Sequence, residues 1–327
     1  MNKRTFGQTG RKAGEIGLGC WQLGGADWGA LGDDQADAIL DAAADAGTTF
    51  FDTADVYGDG RSEELIGKFL RRRKGDFFFA TKLGRRGDIY PDGYTWDAVS
   101  RATEDSLRRL GVEALDLTQL HCIPEAVLRA GEIFDWLRRL QEQGKIRNFG
   151  ASVETVEEGL LCLGQPGLAS LQVIFNIFRQ KPAIELFPAA LAKRVAVIVR
   201  VPLASGLLGG RMTRETVFPE KDHRNYNRDG QFFNVGETFC GLPFGEGIRL
   251  VERLDSLKPA DISLPRMALR YILDHEAVSV VIPGASKPQQ ARENACASNL
   301  PPLPPALHRE LRDFYTNEVA GLIRGPY

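Results

Sequence analysis

Residues 48–60 read TTFFDTADVYGDG: a short β-branched and aromatic run that stops at Asp52, then a polar turn carrying Tyr57. An apolar run this short, bounded by turn residues, is how a strand buried on both faces reads, and parallel strands are of that kind. Working outward, the same pattern recurs at 77–81, 115–120, 146–151, 171–175, 195–199 and 278–282, with IGLGC at 16–20 as a weaker first member. Between these runs lie stretches of helical periodicity, at 34–46, 95–110, 126–143 and 156–163, with 267–273 part of another. Gly47, Gly111, Gly144 and Gly164 follow four of them, and glycine is the residue that ends a helix cheaply by taking left-handed dihedrals. Strands alternating with helices predict parallel βαβ units, and eight strands are the number that closes a (β/α)₈ TIM barrel. The competing open sheet that binds dinucleotides needs G-x-G-x-x-G at its first turn. Here that turn runs Gly17-Leu-Gly19-Cys-Trp-Gln22, without the third glycine. The barrel is therefore the expected fold, as a single domain over residues 1–327. Two additions are expected: an N-terminal β-hairpin within residues 4–15, turning at Gly7 and Gly10, and a long loop after strand seven, residues 209–247.

Composition narrows the function. The 327 residues carry 41 Lys+Arg and 43 Asp+Glu, a formal charge of −2, which speaks against a nucleic-acid partner because phosphate-tracking proteins carry a basic excess. Five separated cysteines without a C-x-x-C fit a reducing compartment. No signal-like apolar start and no apolar run of about 18 residues is present, so a cytoplasmic protein with no membrane partner is expected. Four histidines with no H-x-H argue against a metal site. Nothing in the sequence fixes an oligomeric state.

In a barrel of this kind reactive side chains sit where strands exit at the C-terminal rim. Strand two ends in Asp52, with Tyr57 just beyond; strand three (FFFAT) ends in Lys82; strand four (LDLTQL) ends in His121. A carboxylate, a phenol, an ammonium and an imidazole are thus expected on one side of the mouth. The ammonium is expected to lower the phenol's pKa and the carboxylate to hold the ammonium in place. The imidazole can orient a carbonyl oxygen. A phenol acting as general acid beside a polarised carbonyl is the chemistry of hydride transfer from a cofactor. Each residue alone has a plain structural explanation, but four such accidents at three successive strand exits do not.

The chain resembles the aldo-keto reductases over nearly its whole length, through FFDTADVYGDGRSEELIGKFL, FFFATKLG, LTQLHC, IRNFGAS, LQVIFNIF, VPLASGLLGG and VIPGASKPQQARENACA. The resemblance implies a barrel that binds NADP(H) without a Rossmann fold, reducing an aldehyde or ketone such as a sugar or small carbonyl compound. It makes Asp52, Tyr57, Lys82 and His121 the catalytic four. Ser152 and Gln172 match carboxamide-binding positions; Leu203, Ser205 and Leu207 match a pyrophosphate-covering loop. Gly284, Ala285, Ser286, Lys287, Gln290, Glu293 and Asn294 match the segment around the adenosine and its 2′-phosphate. The chain departs from the pattern at Val153, at Gln290, where some relatives have arginine, and at Arg200, where many stack a tyrosine on the nicotinamide. A guanidinium there is expected to disfavour the oxidised, cationic ring. Trp21, Tyr90, Trp96 and Arg224 are the expected substrate walls. An oxidising sugar or polyol dehydrogenase and a slow, cofactor-bound regulatory subunit are the alternatives.

Overall fold

In the computed structural model, which describes residues 1–25, 27–29 and 31–327, two short strands precede the main sheet. β1 (Lys3–Thr5) and β2 (Lys12–Gly14) form the antiparallel hairpin expected from the sequence, with Gly7 and Gly10 both at positive φ in its turn. Eight strands follow: β3 (Leu18–Gly19), β4 (Phe50–Asp52), β5 (Phe78–Leu83), β6 (Leu117–His121), β7 (Phe149–Ser152), β8 (Leu168–Ile174), β9 (Ala196–Arg200) and β10 (Val278–Val281). Each pairs in parallel with its neighbour in sequence. Closure comes from the segment entering β3, where Gly17 N donates to the Val281 carbonyl at 2.8 Å and Gly19 N to that of Pro283 at 3.1 Å. The result is a (β/α)₈ barrel.

The barrel interior is a small core of its own, built from Phe50, Phe78, Leu117, Ile198 and Val280, and the hairpin completes it from below. Phe6, fully buried, packs its ring edge-on to Phe78 at 4.8 Å and against Phe50 at 5.4 Å. Removing such a ring costs about 3–5 kcal/mol, so Phe6→Ala is the single change that most directly opens the bottom of the barrel. Arg4 holds the plug in place: it pairs with Glu15 at 2.7 Å and donates to the carbonyls of Leu273 and Val278 at 2.5 and 2.9 Å.

Two elements differ from the expectation. The helix read over 126–143 is two, Glu125–Ala130 and Glu132–Glu142, because Gly131 between them takes φ 82°, which ends one helix and starts the next. The long loop after β9, the seventh barrel strand, is partly ordered. It contains a helical turn at His223–Tyr226, and a fourteen-residue helix, Phe244–Leu257, begins before its expected end. Gly164 is not at positive φ; Gly167, three residues later, is. Among the described residues no helix is long and apolar enough to cross a membrane.

Candidate active site

Strand register sets the polar floor of the mouth. Lys82 of β5 lies opposite Gln119 of β6, His121 opposite Ser152 of β7, and Ser152 opposite Gln172 of β8. Asp52, at the end of β4, receives Lys82 Nζ at 2.5 Å on one oxygen. Its other oxygen accepts from Gln172 Nε2 at 2.8 Å and Gln119 Nε2 at 3.1 Å. Lys82 Nζ also donates to the Thr53 carbonyl at 2.8 Å and to the Tyr57 hydroxyl at 3.1 Å, so its three protons are all directed. His121 stands edge-on to the Tyr57 ring at 5.7 Å. The four residues read from the strand exits come together. Gln119 was missed, although the period-two alternation of LTQLH puts it on the face of His121.

Tyr57 is placed by glycines. Its turn packs against the loop after β3 so closely that a Cβ on Gly24 would lie 2.7 Å from both the Tyr57 carbonyl carbon and Gly58 N. Arg61, at the start of helix Arg61–Arg72, ties that loop down through the carbonyls of Leu23 and Leu31, both at 2.7 Å.

The electrostatics correct one expectation. Burial pushes the Tyr57 pKa up, and although Lys82 pulls it down the balance leaves it at about 12 rather than below 10. The phenol is therefore protonated at neutral pH and equipped to donate. Burial also works against the Lys82 charge, but Asp52 and Tyr57 outweigh it and the net shift is upward. His121 is held well below the usual histidine range by burial first, then by Lys82, Arg85 and Arg200, so its ring is neutral, and Nδ1 is buried without a partner.

Arg200, at the end of β9, is also corrected. It lines the cleft, but its guanidinium is ion-paired with Glu237 from the long loop and donates to the Val153 carbonyl at 2.9 Å. With Glu237 against it, the charge on Arg200 is compensated, and the argument that it repels an oxidised ring loses its basis. Glu237 was not identified from sequence, because it lies in an aperiodic loop. Its backbone is held in turn: Ser205 Oγ donates to the Glu237 carbonyl at 2.9 Å.

A cleft of about 1020 Å³ runs from Tyr57 and Asp52 past Gln172 and Arg200, beneath Leu203, Ser205 and Gly206, to Gly284, Ala285, Ser286, Gln290, Glu293 and Asn294. It is roomy enough for a dinucleotide, and the protonated phenol lines it, while His121 and Lys82, behind Tyr57, do not. Several expected residues are not among those lining it. Leu207 is buried beside Gly247. Ser152 is buried with its Oγ 3.5 Å from Cys122 Sγ. Lys287 is an exposed N-cap residue of helix Pro288–Ala295.

The walls above Tyr57 divide in the same way. Trp21 stacks on the Tyr57 ring at 5.9 Å, and Arg224 lines the cleft while sitting over Trp28 at 4.8 Å. Tyr90 and Trp96 do not line the cleft: Tyr90 is exposed beside Arg85, and Trp96 opens helix Trp96–Leu110 with Arg139 stacked on it at 3.9 Å. A clamp not visible in sequence joins the two wall segments. Asp27 accepts from Trp21 Nε1 at 2.9 Å and from the Tyr226 hydroxyl at 2.5 Å, and its carbonyl accepts His223 N at 2.9 Å.

Comparison with known proteins agrees with this geometry. The Aldo/keto reductase family profile matches residues 15–316. Among curated proteins the chain is 31% identical to "Uncharacterized oxidoreductase YqkF" of Bacillus subtilis, covering 91% of this chain and 92% of that protein. It is 30% identical to "Aldo-keto reductase YhdN" of the same organism, over 89% and 86% of the two chains. Among solved structures it is similar to the glycerol dehydrogenase AKR11B4 of Gluconobacter oxydans, with TM-score 0.77, 28% identity and coverage of 97% and 96%. It is similar too to the holo form of aldo-keto reductase AKR11C1 of Bacillus halodurans, with TM-score 0.76, 28% identity and 96% of both chains covered. A barrel with a tyrosine, lysine, aspartate and histidine at its mouth, matched from end to end by these proteins, belongs to the aldo/keto reductase family.

Proposed function

We propose that the protein is an NADP(H)-dependent carbonyl reductase acting on an aldehyde or ketone of the sugar or small-carbonyl class, with Tyr57 as the general acid. The observation that carries this reading is Lys82 Nζ, held at 2.5 Å from Asp52 and 3.1 Å from the Tyr57 hydroxyl. When bound, NADPH supplies the hydride that reduces the carbonyl carbon. Tyr57 donates its proton to the carbonyl oxygen, and the phenolate left behind is stabilised by the Lys82 ammonium. Asp52, itself anchored by Gln119 and Gln172, keeps that ammonium charged and aimed. His121, neutral, donates a ring N–H to the same carbonyl oxygen and turns it toward Tyr57. Gln172, Ser205, Ser286 and Asn294 are the polar groups assigned to the nucleotide. Trp21 walls the reacting end, and its bond to Asp27 fixes the indole over Tyr57.

A phenol protonated at neutral pH is in the state that reduction requires of its general acid. The test is direct. Purified protein is offered NADPH or NADH with a reactive aromatic aldehyde and with an aldose, alongside Tyr57→Phe. Consumption of NADPH that vanishes in the variant while cofactor affinity stays within about twofold supports the assignment. Turnover that survives in Tyr57→Phe removes Tyr57 from the mechanism. Tight cofactor binding without turnover by the unaltered protein favours the regulatory alternative.

A further inference from the structure

The adenosine end of the cleft lacks the cation expected of it. In the segment 284–294 the candidates for a 2′-phosphate were Ser286, Lys287 and Gln290. Gln290 Oε1 is already occupied by Ser286 N at 2.8 Å and Ser286 Oγ at 3.0 Å, so side chain and loop satisfy each other. Lys287 is exposed and does not line the cleft. Besides Arg200 and Arg224, the cations lining the cleft are Arg211 after the 3₁₀ segment Ala204–Gly209, Lys258 after helix Phe244–Leu257, and Arg266 in helix Leu264–Leu273, which packs against helix Pro288–Ala295 of the motif segment.

Arg266 stands out from the other half-buried arginines. Arg61 is bonded to Asp33 at 2.7 Å, Arg109 to Glu63 at 2.6 Å and Arg224 to Asp222 at 2.6 Å. The Arg266 guanidinium has no hydrogen-bond or ion-pair partner among the described residues, although it is only partly exposed and borders the cleft. It also occupies the third position of its helix, where the helix dipole disfavours a positive charge. Lys258 is held only by long contacts, 3.8 Å to Asp255 and 3.4 Å to the Pro259 carbonyl. A fixed, fork-shaped cation with unused donors matches a phosphate monoester, which accepts two parallel hydrogen bonds.

Resting on the cofactor reading above, we infer that Arg266, assisted by Lys258, is the residue that recognises the nucleotide 2′-phosphate and sets NADP(H) over NAD(H) in this chain. The function that an arginine at position 290 would serve is served here by a helix outside the motif segment. Discrimination then depends on a residue in a helix face that, in sequence, looks merely solvated.

The experiment is equilibrium titration of the full-length protein with NADP⁺ and with NAD⁺, followed by quenching of tryptophan fluorescence, without any turnover. Arg266→Ala is expected to raise the Kd for NADP⁺ by about ten- to hundredfold while leaving that for NAD⁺ within about twofold. Arg266→Lys is expected to recover part of the loss, Lys258→Ala to give a smaller loss of the same kind, and Lys287→Ala to leave the ratio unchanged. An unchanged NADP⁺/NAD⁺ ratio in Arg266→Ala overturns the inference. So does an equal loss for both nucleotides, which places the arginine on the shared pyrophosphate. Failure of the unaltered protein to bind either nucleotide overturns the cofactor reading itself, and is told apart because it precedes any substitution. Circular dichroism of each variant confirms that the helix is retained.

Discussion

The two ends of the cleft treat charge in opposite ways. Around Tyr57 each cation has a carboxylate partner: Lys82 has Asp52, Arg200 has Glu237 and Arg85 has Glu154 at 3.1 Å. Arg266, in the helix packed against the motif segment, is unpaired among the described residues, and Lys258 is held only by long contacts to Asp255 and the Pro259 carbonyl. Charges paired within the protein are fixed before any ligand arrives, so they can set the protonation of a phenol and an imidazole without competing for the substrate. Charges left open await an anion. The lesson is that a cation's role in such a trough is told less by its position than by whether the fold has already answered it.

The sharpest way to break the comparison is at Tyr57. Tyr57→Phe should lower kcat by about 10²–10⁴ with nucleotide affinity within twofold, measured by stopped-flow turnover and fluorescence titration. Loss of nucleotide affinity by the same factor would mean that the two ends are not independent. Next in size is Glu237→Gln, which leaves Arg200 buried without its counter-charge. Denaturant melts should show a loss of about 3 kcal/mol, and the double variant Arg200→Met/Glu237→Leu should recover most of it. Stability unaffected by Glu237→Gln would deny that the pair is integral to the catalytic end.

Asp55 sharpens the comparison, because it lies between Asp52 and Tyr57 in sequence yet both its carboxyl oxygens are buried without a side-chain partner among the described residues. Burial, then Glu63, raises its pKa to about 7. The folded state therefore holds a proton that the unfolded chain releases near 3.8. The corresponding stability is fully present below pH 3.8 and is lost as pH rises toward 7. Between pH 5 and 7 the loss should reach about 2 kcal/mol, and Asp55→Asn should flatten it in melts at the two pH values. A wild-type profile already flat over that window would show that Asp55 is compensated after all. The smallest effect is expected from salt. Going from 0.05 to 0.5 M should weaken NADP⁺ binding a few-fold through the open cations of the far end, while kcat at saturating cofactor stays level. A kcat that fell with salt would mean that the paired end is screened too.

Much of this was legible in the sequence, for identifiable reasons. Parallel barrel strands read as apolar runs, and the first polar residue after each run faces the mouth, which is why Asp52, Lys82 and His121 could be located from strand exits. The hairpin was legible from its glycines. What escaped depends on residues distant in sequence meeting in space. Asp27 and Tyr226 are 199 positions apart, and Arg200 reaches Glu237 across an aperiodic loop. The sign of the Tyr57 shift depends on burial, a quantity that no motif carries. Tyr90 and Trp96 misled because aromatics near a rim read as pocket walls, whereas Trp96 serves as a platform for Arg139 on the outer helices. Helix 126–143 was read as continuous because its apolar spacing passes through Gly131 unbroken.

The hairpin plug has a consequence for how the chain is made. Its anchors, the carbonyls of Leu273 and Val278, lie 269 and 274 residues beyond Arg4. During synthesis the hairpin leaves the ribosome well before β10, but the floor it must seal is complete only when β10 has joined the sheet. Phe6 can meet Phe50 and Phe78 early, but Arg4 has no Val278 carbonyl to hold until the end of the barrel is made, and contacts so far apart in sequence carry a high loop-closure cost. The hairpin, translated ahead of every barrel strand, is thus anchored only after the last of them.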